Sequence, residues 1–476
     1  MRRLVVGSLL VALVVPVGGA YAGASRAEGG GLAWRQCQSG SDDQQGKALD
    51  DAGASCTTVR VPLDHLHPDG RTLDIAISRI KADPAKRRGI LLSNSGGPGA
   101  PGLAYPLDLQ PLLGEVASQY DLIGVDARFM GRSAPLDCGP VQLADLYRSS
   151  TTRRDFTTGS RYAASFAAAC RANNPGLLQH ANIRQAARDL DAIRVALGED
   201  KLSYYGVSWG ADLGVVYSQL FSAKVDRMVV DSVTDVEGSE YQHLATGLGA
   251  EAAFDEWAAW AAWRDDKYHL GRTGMQVRAN MTELVYRRQP VKVGKYQIDS
   301  AAMPWVLQSA LGDESDRDLM ARNVRTLLDA AAGKPIKPSK ELLGFLGQFF
   351  EINPDLSRFA AASLSYTCND NGWPRRPAQY WRDAQRDHKT QPLFAVTILP
   401  CAYWTDHTTE PDLVIGNNTP MLIVQAERDS IPVAWARKLH QKLPNSVLKT
   451  VDRRAHGVYD ERIPEMVAEV NRYLAG

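Results

Sequence analysis

Short apolar runs alternate along this chain with stretches whose apolar residues recur at helical spacing. The run GILLSN (89–94) stops at a glycine cluster and predicts a buried strand. Similar patterns predict further strands at 120–126, 202–207, 225–233, 420–427 and 446–452, and helices at 181–198, 211–221, 433–443 and 461–474. Because strands and helices alternate, the sequence predicts an α/β fold with a mostly parallel sheet that helices cover on both faces.

The pattern changes between about Glu237 and Pro411, where few segments have the character of strands. Apolar residues at helical spacing predict helices at 249–263, 318–333 and 341–352. A helical block between two sheet strands is most simply a cap over the carboxyl edge of the sheet, where α/β proteins bind ligands. The expected division is a catalytic domain formed by 37–236 and 412–476, with a helical cap or lid domain at 237–411.

The N-terminus has the features of an export signal. Arg2 and Arg3 precede an apolar stretch, and Ala20-Tyr21-Ala22 offers small residues at a cleavage site. We expect a signal peptide at 1–22 and a flexible leader at 23–36, and therefore a secreted, extracellular protein with no membrane attachment after cleavage. An uncleaved membrane anchor is the alternative, but the apolar run is short for one.

Charge and cysteine content narrow the setting further. The chain has 54 Lys+Arg and 54 Asp+Glu, so no basic excess indicates a nucleic-acid partner. Its six cysteines form no C-x-x-C pair, and an even number in an exported protein indicates structural disulfides. Sequence alone leaves their connectivity open. We expect the cysteines nearest in sequence to pair, because each disulfide then encloses one local segment of the chain. The expected pairs are Cys37 with Cys56, Cys138 with Cys170, and Cys368 with Cys401.

Ser208 stands in a G-x-S-x-G frame, between Gly206 and Gly210, where a predicted strand turns into a predicted helix. In this setting glycines permit a tight turn, and the turn lifts the serine hydroxyl above the sheet. The frame alone is a modest signal because short glycine patterns recur by chance. A catalytic serine also needs a base, and the base needs an acid that orients it.

Both partners occur in the expected order and on the expected elements. Asp429 follows the strand at 420–427, and His456 lies in the loop between the strand at 446–452 and the last helix. The order Ser, Asp, His is that of the α/β-hydrolases. Taken singly, Asp429 could be a helix N-cap and His456 a solvated loop residue. Together with Ser208 they predict a catalytic triad.

Two backbone N–H groups are candidates for the oxyanion hole. One belongs to Trp209, which follows the serine, and the other to Gly97 in the glycine-rich loop NSGGPGAPG (94–102). The alternative for that loop is a plain surface turn. Acyl transfer by these parts requires no metal and no cofactor, and we predict none.

Several motifs together resemble the secreted bacterial tripeptidyl aminopeptidases, which are α/β-hydrolases related to proline iminopeptidase. The resemblance covers nearly the whole mature chain and rests on NSGGPGAPG, DLIGVDARFMGRS, AARDLDAIRVALGEDKLSYYGVSWGADLG, RMVVDSVTD and AERDSIPVAWARKLHQKLPNS…RAHGVY. It implies an α/β-hydrolase fold with a large, mainly helical cap inserted between sheet strands, and a serine exopeptidase. The chain departs from the family pattern at 99–102 and at Trp209, which bears on side-chain preference at the acyl pocket.

The resemblance implies substrates with free N-termini, namely peptides or proteins from which short peptides, tripeptides in this family, are released. A carboxylate in a partly dry pocket would read the α-amine, and Asp370 and then Glu351 are the candidates. Either acid could instead solvate a loop or cap a helix. The residues themselves support acyl transfer without choosing peptide or ester, so an esterase or lipase of the same fold stays open, as does a catalytically silent binding protein. The oligomeric state is open too.

Overall fold

The computed structural model describes residues 31–476 except 151, 238–241, 310, 312, 371, 396–397, 407–409 and 411–412. For 242–246 it describes the backbone alone. The predicted signal peptide and most of the predicted leader lie outside the described residues. In the part that is described, no helix is both long enough and apolar enough to span a bilayer.

The strands fall in two groups, eight in one sheet and two in a hairpin, among the residues described. In chain order they are β1 (Ser55–Pro62), β2 (Thr72–Ile80), β3 (Gly89–Asn94), β4 (Tyr120–Val125), β5 (Leu202–Val207), β6 (Val225–Asp231), β7 (Val291–Val293), β8 (Tyr296–Ile298), β9 (Met421–Ala426) and β10 (Ser446–Val451).

The α-helices that precede β6 in the chain are α1 (Gln44–Asp51), α2 (Tyr105–Leu113), α3 (Leu143–Leu146), α4 (Arg153–Asn173), α5 (Ile183–Ala196) and α6 (Trp209–Leu220). Between β6 and β9 follow α7 (Gln242–Ala262), α8 (Asp265–Tyr268), α9 (Gly274–Val285), α10 (Met303–Gln308), α11 (Arg317–Ala331), α12 (Lys340–Phe350), α13 (Pro354–Asn369) and α14 (Pro377–Asp387). The last helices are α15 (Val433–Lys442) and α16 (Pro464–Ala475).

The large sheet has the strand order β1-β2-β4-β3-β5-β6-β9-β10. From β4 to β10 neighbouring strands are parallel, while β2 is antiparallel to both β1 and β4. Every residue of β3, β4, β5 and β9 is buried, as expected for parallel strands covered on both faces. The mostly parallel α/β sheet predicted from the sequence is confirmed.

The segment between β6 and β9 is mainly helical and contacts the carboxyl ends of the parallel strands. On α13, Phe359 lies against the loop after β3, where a Cβ on Gly99 would come within 2.5 Å of the Phe359 carbonyl oxygen. On α7, Gly249 lies against Ser430, in the loop after β9. The division at 237 and 411 stays a prediction, and residues 411 and 412 lie outside the described part.

All six cysteines are paired. The disulfides are Cys37–Cys56, Cys138–Cys170 and Cys368–Cys401, the nearest-neighbour pairs. The first ties the N-terminal segment to β1, the second ties the segment before α3 to α4, and the third ties α13 to a 3₁₀ turn at Leu399–Tyr403.

Candidate active site

Ser208 lies at the carboxyl end of β5, where the chain turns into α6. Its backbone has φ +57° and ψ −127°, a conformation that costs a non-glycine residue free energy and that clusters at functional sites. The neighbouring strand holds this turn, because the Ser208 N–H donates to the Asp231 carbonyl at 2.9 Å. The residue is 3% exposed. The strand, the strained turn and the helix together form the geometry of a nucleophile elbow.

The two glycines of the frame are required by close packing. A Cβ on Gly206 would lie 2.2 Å from the Gly210 carbonyl oxygen, and a Cβ on Gly210 would lie 2.4 Å from the Asn94 carbonyl oxygen. No side chain fits at these distances. A Cβ on Gly96, in the glycine-rich loop, would lie 2.1 Å from the Val207 carbonyl oxygen. The elbow and the glycine-rich loop are therefore packed backbone to backbone.

The predicted base and acid are bonded to each other. His456 Nδ1 lies 3.0 Å from Asp429 Oδ1 and 3.2 Å from Asp429 Oδ2. The loop that carries His456 reaches the elbow, since a Cβ on Gly457 would lie 3.3 Å from Val207 Cγ1. Burial opposes protonation of His456, but the charge of Asp429 and its hydrogen bond, with smaller contributions from Asp231 and Asp212, raise the His456 pKa above its usual 6.5.

Asp429 is further fixed by groups that sequence reasoning missed. The Ser232 hydroxyl donates to Asp429 Oδ2 at 2.7 Å and accepts the Gly457 N–H at 2.9 Å, so it bridges the acid to the loop of the base. Asp231 accepts the N–H groups of Val458 and Tyr459 on the far side of that loop. Ser232 has φ +55°. The predicted strand at 225–233 therefore ends two residues early, at Asp231.

A second buried carboxyl lies near His456. Asp212 is one turn into α6 and accepts from the Thr234 N–H at 2.9 Å and the Thr234 hydroxyl at 2.8 Å. Burial raises the Asp212 pKa to about 7. The hydrogen bonds from Thr234 oppose this shift, and the nearby charge of Asp235 adds to it. Asp231 is similar, since burial raises its pKa to about 6 against three hydrogen-bonded partners.

The glycine-rich loop supplies the second oxyanion candidate. Gly97 has φ +49°, and its N–H donates to no residue within the described part of the chain. The far end of the loop is anchored by Asp126, whose Oδ1 accepts the N–H groups of Gly102 and Leu103 at 2.9 and 2.8 Å. Trp209, the first candidate, begins α6, and the first N–H groups of a helix have no partner within it.

The two candidate amine-binding acids have other partners. Asp370 is partly buried at the end of α13, and both of its oxygens accept the N–H of Ile183, the first residue of α5, at 3.0 and 3.1 Å. Burial raises its pKa to about 7. Glu351 is exposed and pairs with Lys295 at 2.7 Å. The expected amine-binding acid lies in a partly dry pocket. Glu351 differs from it, because the Glu351 carboxylate is exposed to solvent and already paired with Lys295.

Comparison with known proteins identifies the family. Residues 89–270 match the family model described as alpha/beta hydrolase fold, and residues 388–476 match the model described as TAP-like protein. The tripeptidyl aminopeptidases of Streptomyces lividans and Streptomyces coelicolor are each 32% identical to this chain over 484 residues, which cover 96% of this chain and 86% of theirs. The chain belongs to the tripeptidyl aminopeptidase family.

Another relative matches a smaller part of the chain. The serine protease Hip1 of Mycobacterium tuberculosis is 32% identical over 262 residues, which cover 53% of this chain and 49% of that protein. The family and the α/β-hydrolase fold that the sequence motifs indicated are both confirmed.

Proposed function

We propose that the protein is an exported serine exopeptidase that releases short peptides from the free N-termini of peptides or proteins. The released unit would be a tripeptide, by analogy with the names of its Streptomyces relatives. The chain is a serine hydrolase of the tripeptidyl aminopeptidase family. The observation that carries the proposal is the bonded His456–Asp429 pair, whose loop lies beside the strained Ser208 elbow.

The mechanism follows from these parts. Neutral His456 removes the proton from the Ser208 hydroxyl as the oxygen attacks the scissile carbonyl. The N–H groups of Trp209 and Gly97 stabilise the negative charge that develops on the carbonyl oxygen. His456 then donates its proton to the leaving amine. Water attacks the acyl-enzyme with His456 again as base, which frees the short peptide and restores the Ser208 hydroxyl.

Export is supported by two observations of different kinds. The disulfides use every cysteine of the chain, and structural disulfides persist in oxidising compartments. The N-terminal sequence has the features of a signal peptide. N-terminal sequencing of the protein recovered from culture medium tests this part of the proposal, with cleavage after Ala22 as the expected result.

The nucleophile is tested with a fluorophosphonate. We expect it to label the wild-type protein on Ser208 and to leave Ser208→Ala unlabelled. Ser208→Ala, Asp429→Ala and His456→Ala should each remove most peptidase activity without adding to one another, because the three residues act as one unit. Near-native turnover by His456→Ala would refute the assignment, and an unlabelled wild type would favour a silent binding protein.

The requirement for a free amine is tested by comparing a peptide with its N-acetylated form. An unpaired buried acid penalises the acetylated substrate, so acetylation should remove most of kcat/KM. If Asp370 reads the amine, Asp370→Asn should narrow that difference, while Glu351→Gln, which alters an exposed ion pair, should not. Equal cleavage of both peptides would eliminate amine anchoring. Faster turnover of simple acyl esters than of peptides would favour the esterase alternative.

A further inference from the structure

The loops that carry Asp429 and His456 are joined to α7 through one carboxylate. Glu256 Oε1 accepts from Arg454 Nη2 at 2.6 Å, and Glu256 Oε2 accepts from Arg454 Nε at 3.2 Å and from Arg428 Nη1 at 3.0 Å. Arg428 directly precedes Asp429, and Arg454 lies two residues before His456. A single side chain of α7 therefore binds both loops, one residue before Asp429 in one loop and two residues before His456 in the other.

The arginines are also bonded to each other's loop. Arg454 Nη1 donates to the Arg428 carbonyl at 2.7 Å, and the Arg428 N–H donates to the Arg453 carbonyl at 3.2 Å. The Arg454 side chain is 8% exposed, so Glu256 neutralises a charge that solvent reaches poorly. A bidentate arginine–carboxylate pair of this kind fixes orientation as well as distance.

α7 is seated on these loops along one face. Gly249 and Glu256 are separated by two helical turns, so both point to the same side of the helix. A Cβ on Gly249 would lie 3.0 Å from the Ser430 carbonyl oxygen, which is a tight contact between the helix and the loop that carries the acid. α7 therefore contacts the loops in two ways, through close packing at Gly249 and through ion pairs at Glu256.

We infer that Glu256 is a positioning residue, which sets the spacing between Asp429 and His456 by binding Arg428 and Arg454 from α7. The inference rests on the proposed function, because it assigns a role within the proposed triad. Arg428 also pairs with Asp452 at 2.8 Å and with Glu314 at 3.4 Å, whereas Arg454 pairs with Glu256. Removing the Glu256 charge therefore breaks the ionic link between α7 and both loops and leaves the poorly solvated Arg454 charge without that carboxylate, so the His456 loop shifts relative to the Asp429 loop. A small displacement of a base lowers the rate of proton transfer more than it lowers the affinity for substrate.

The test compares Glu256→Gln with Asp255→Asn. Asp255 is the preceding residue on α7 and pairs with Arg278 from α9, so its variant also removes a carboxylate of α7 that pairs with an arginine. We expect Glu256→Gln to lower both kcat and the rate of fluorophosphonate inactivation roughly tenfold, with KM within about twofold of wild type. Asp255→Asn should leave kcat, the inactivation rate and KM each within about twofold of the wild-type values.

An inactivation rate for Glu256→Gln equal to that of Asp255→Asn would overturn the inference, as would a change confined to KM. If Glu256→Gln does not fold, Arg428→Gln removes the link between Glu256 and the Asp429 loop, together with the Arg428 pairs to Asp452 and Glu314, and there too an unchanged inactivation rate overturns the inference. A wild-type protein that is not labelled would refute the proposed function instead, so the two failures are distinguishable.

Discussion

Burial of the single residue Asp212 makes the stability of the protein depend on pH. It is fully buried, and its pKa is raised from 3.8 to about 7, mainly by burial. Between those values the native state binds a proton that the unfolded chain releases. The native state therefore loses stability relative to the unfolded chain as the pH rises from about 4 through about 7.

We predict that Asp212→Asn stabilises the protein more at pH 8 than at pH 5. An asparagine can accept from the Thr234 N–H and donate to the Thr234 hydroxyl, as the protonated acid does. The difference between the two pH values should be about 2–3 kcal/mol in the free energy of unfolding, measured in urea. The exposed Asp69→Asn is the control, and equal effects at both pH values would contradict the prediction.

The pH dependence of activity should follow His456. Burial opposes its protonation, yet the Asp429 pair and the charges of Asp231 and Asp212 raise its pKa above 6.5. Since the base must be neutral, kcat/KM should fall as the pH is lowered, with a midpoint above about 6.5. Asp212→Asn removes a group that becomes charged near pH 7 and that helps to raise the His456 pKa, so it should move that midpoint downward. An unchanged midpoint in the variant would contradict this.

Some single residues of the site could be predicted from the sequence and others could not. Ser208, Asp429 and His456 each follow a predicted strand in a set order, so chain order was enough to select them as candidates. Ser232 follows a strand too, but a serine there has no signature, because its role depends on a positive φ that turns its hydroxyl toward Asp429.

At the scale of elements, the turn between β5 and α6 depends on glycine. Gly210 lies on α6, but it faces the Asn94 carbonyl rather than solvent. We predict that Gly210→Ala destabilises the fold by about 1–3 kcal/mol through overpacking. It should also lower kcat, because the added methyl group pushes the glycine-rich loop away from Ser208.

The control for that variant is Gly344→Ala on α12. Among the described residues, and apart from the adjacent residues and the backbone of α12 itself, no atom lies within 4 Å of a Cβ built at Gly344. Alanine there should be neutral or stabilising by up to about 1 kcal/mol, as in any exposed helix interior. Thermal unfolding and peptidase assays on the two variants check the prediction. If both variants behaved alike, the close packing at the elbow would not be what requires Gly210.

Buried parallel strands were predictable because each is a short apolar run with a clear stop. The antiparallel strands β1 and β2 were not among the predicted strands, although alternation in SCTTVRVP is visible in the burial of β1. Hairpin β7–β8 was also missed, since its strands have three residues each and give almost no periodic signal. Short length accounts for the missed hairpin but not for β1 and β2, which at 8 and 9 residues are longer than the six-residue β3.

At the scale of the whole molecule, α13 connects the helical segment to the reaction centre. Phe359 and Ser363 lie against Gly99 of the glycine-rich loop, and the Tyr366 ring packs edge-on against Trp209 with 5.0 Å between ring centroids. The same helix ends beside Cys368, whose disulfide ties it to Cys401. The C-terminal end of α13 is thus tied by a covalent link that lies outside the sheet.

We predict that the Cys368→Ser/Cys401→Ser variant loses substrate affinity before its sheet unfolds. A link that closes a loop of 33 residues contributes about 3–4 kcal/mol in the chain-entropy model. If the helical segment is a separate cap, removing the disulfide lowers the free energy of unfolding of the cap and leaves that of the sheet unchanged. KM should therefore rise several-fold at urea concentrations at which far-UV circular dichroism is still native. The Cys37→Ser/Cys56→Ser variant, which frees the N-terminal segment instead, should leave KM unchanged at those concentrations, and a parallel rise in both variants would show that the cap has no stability of its own.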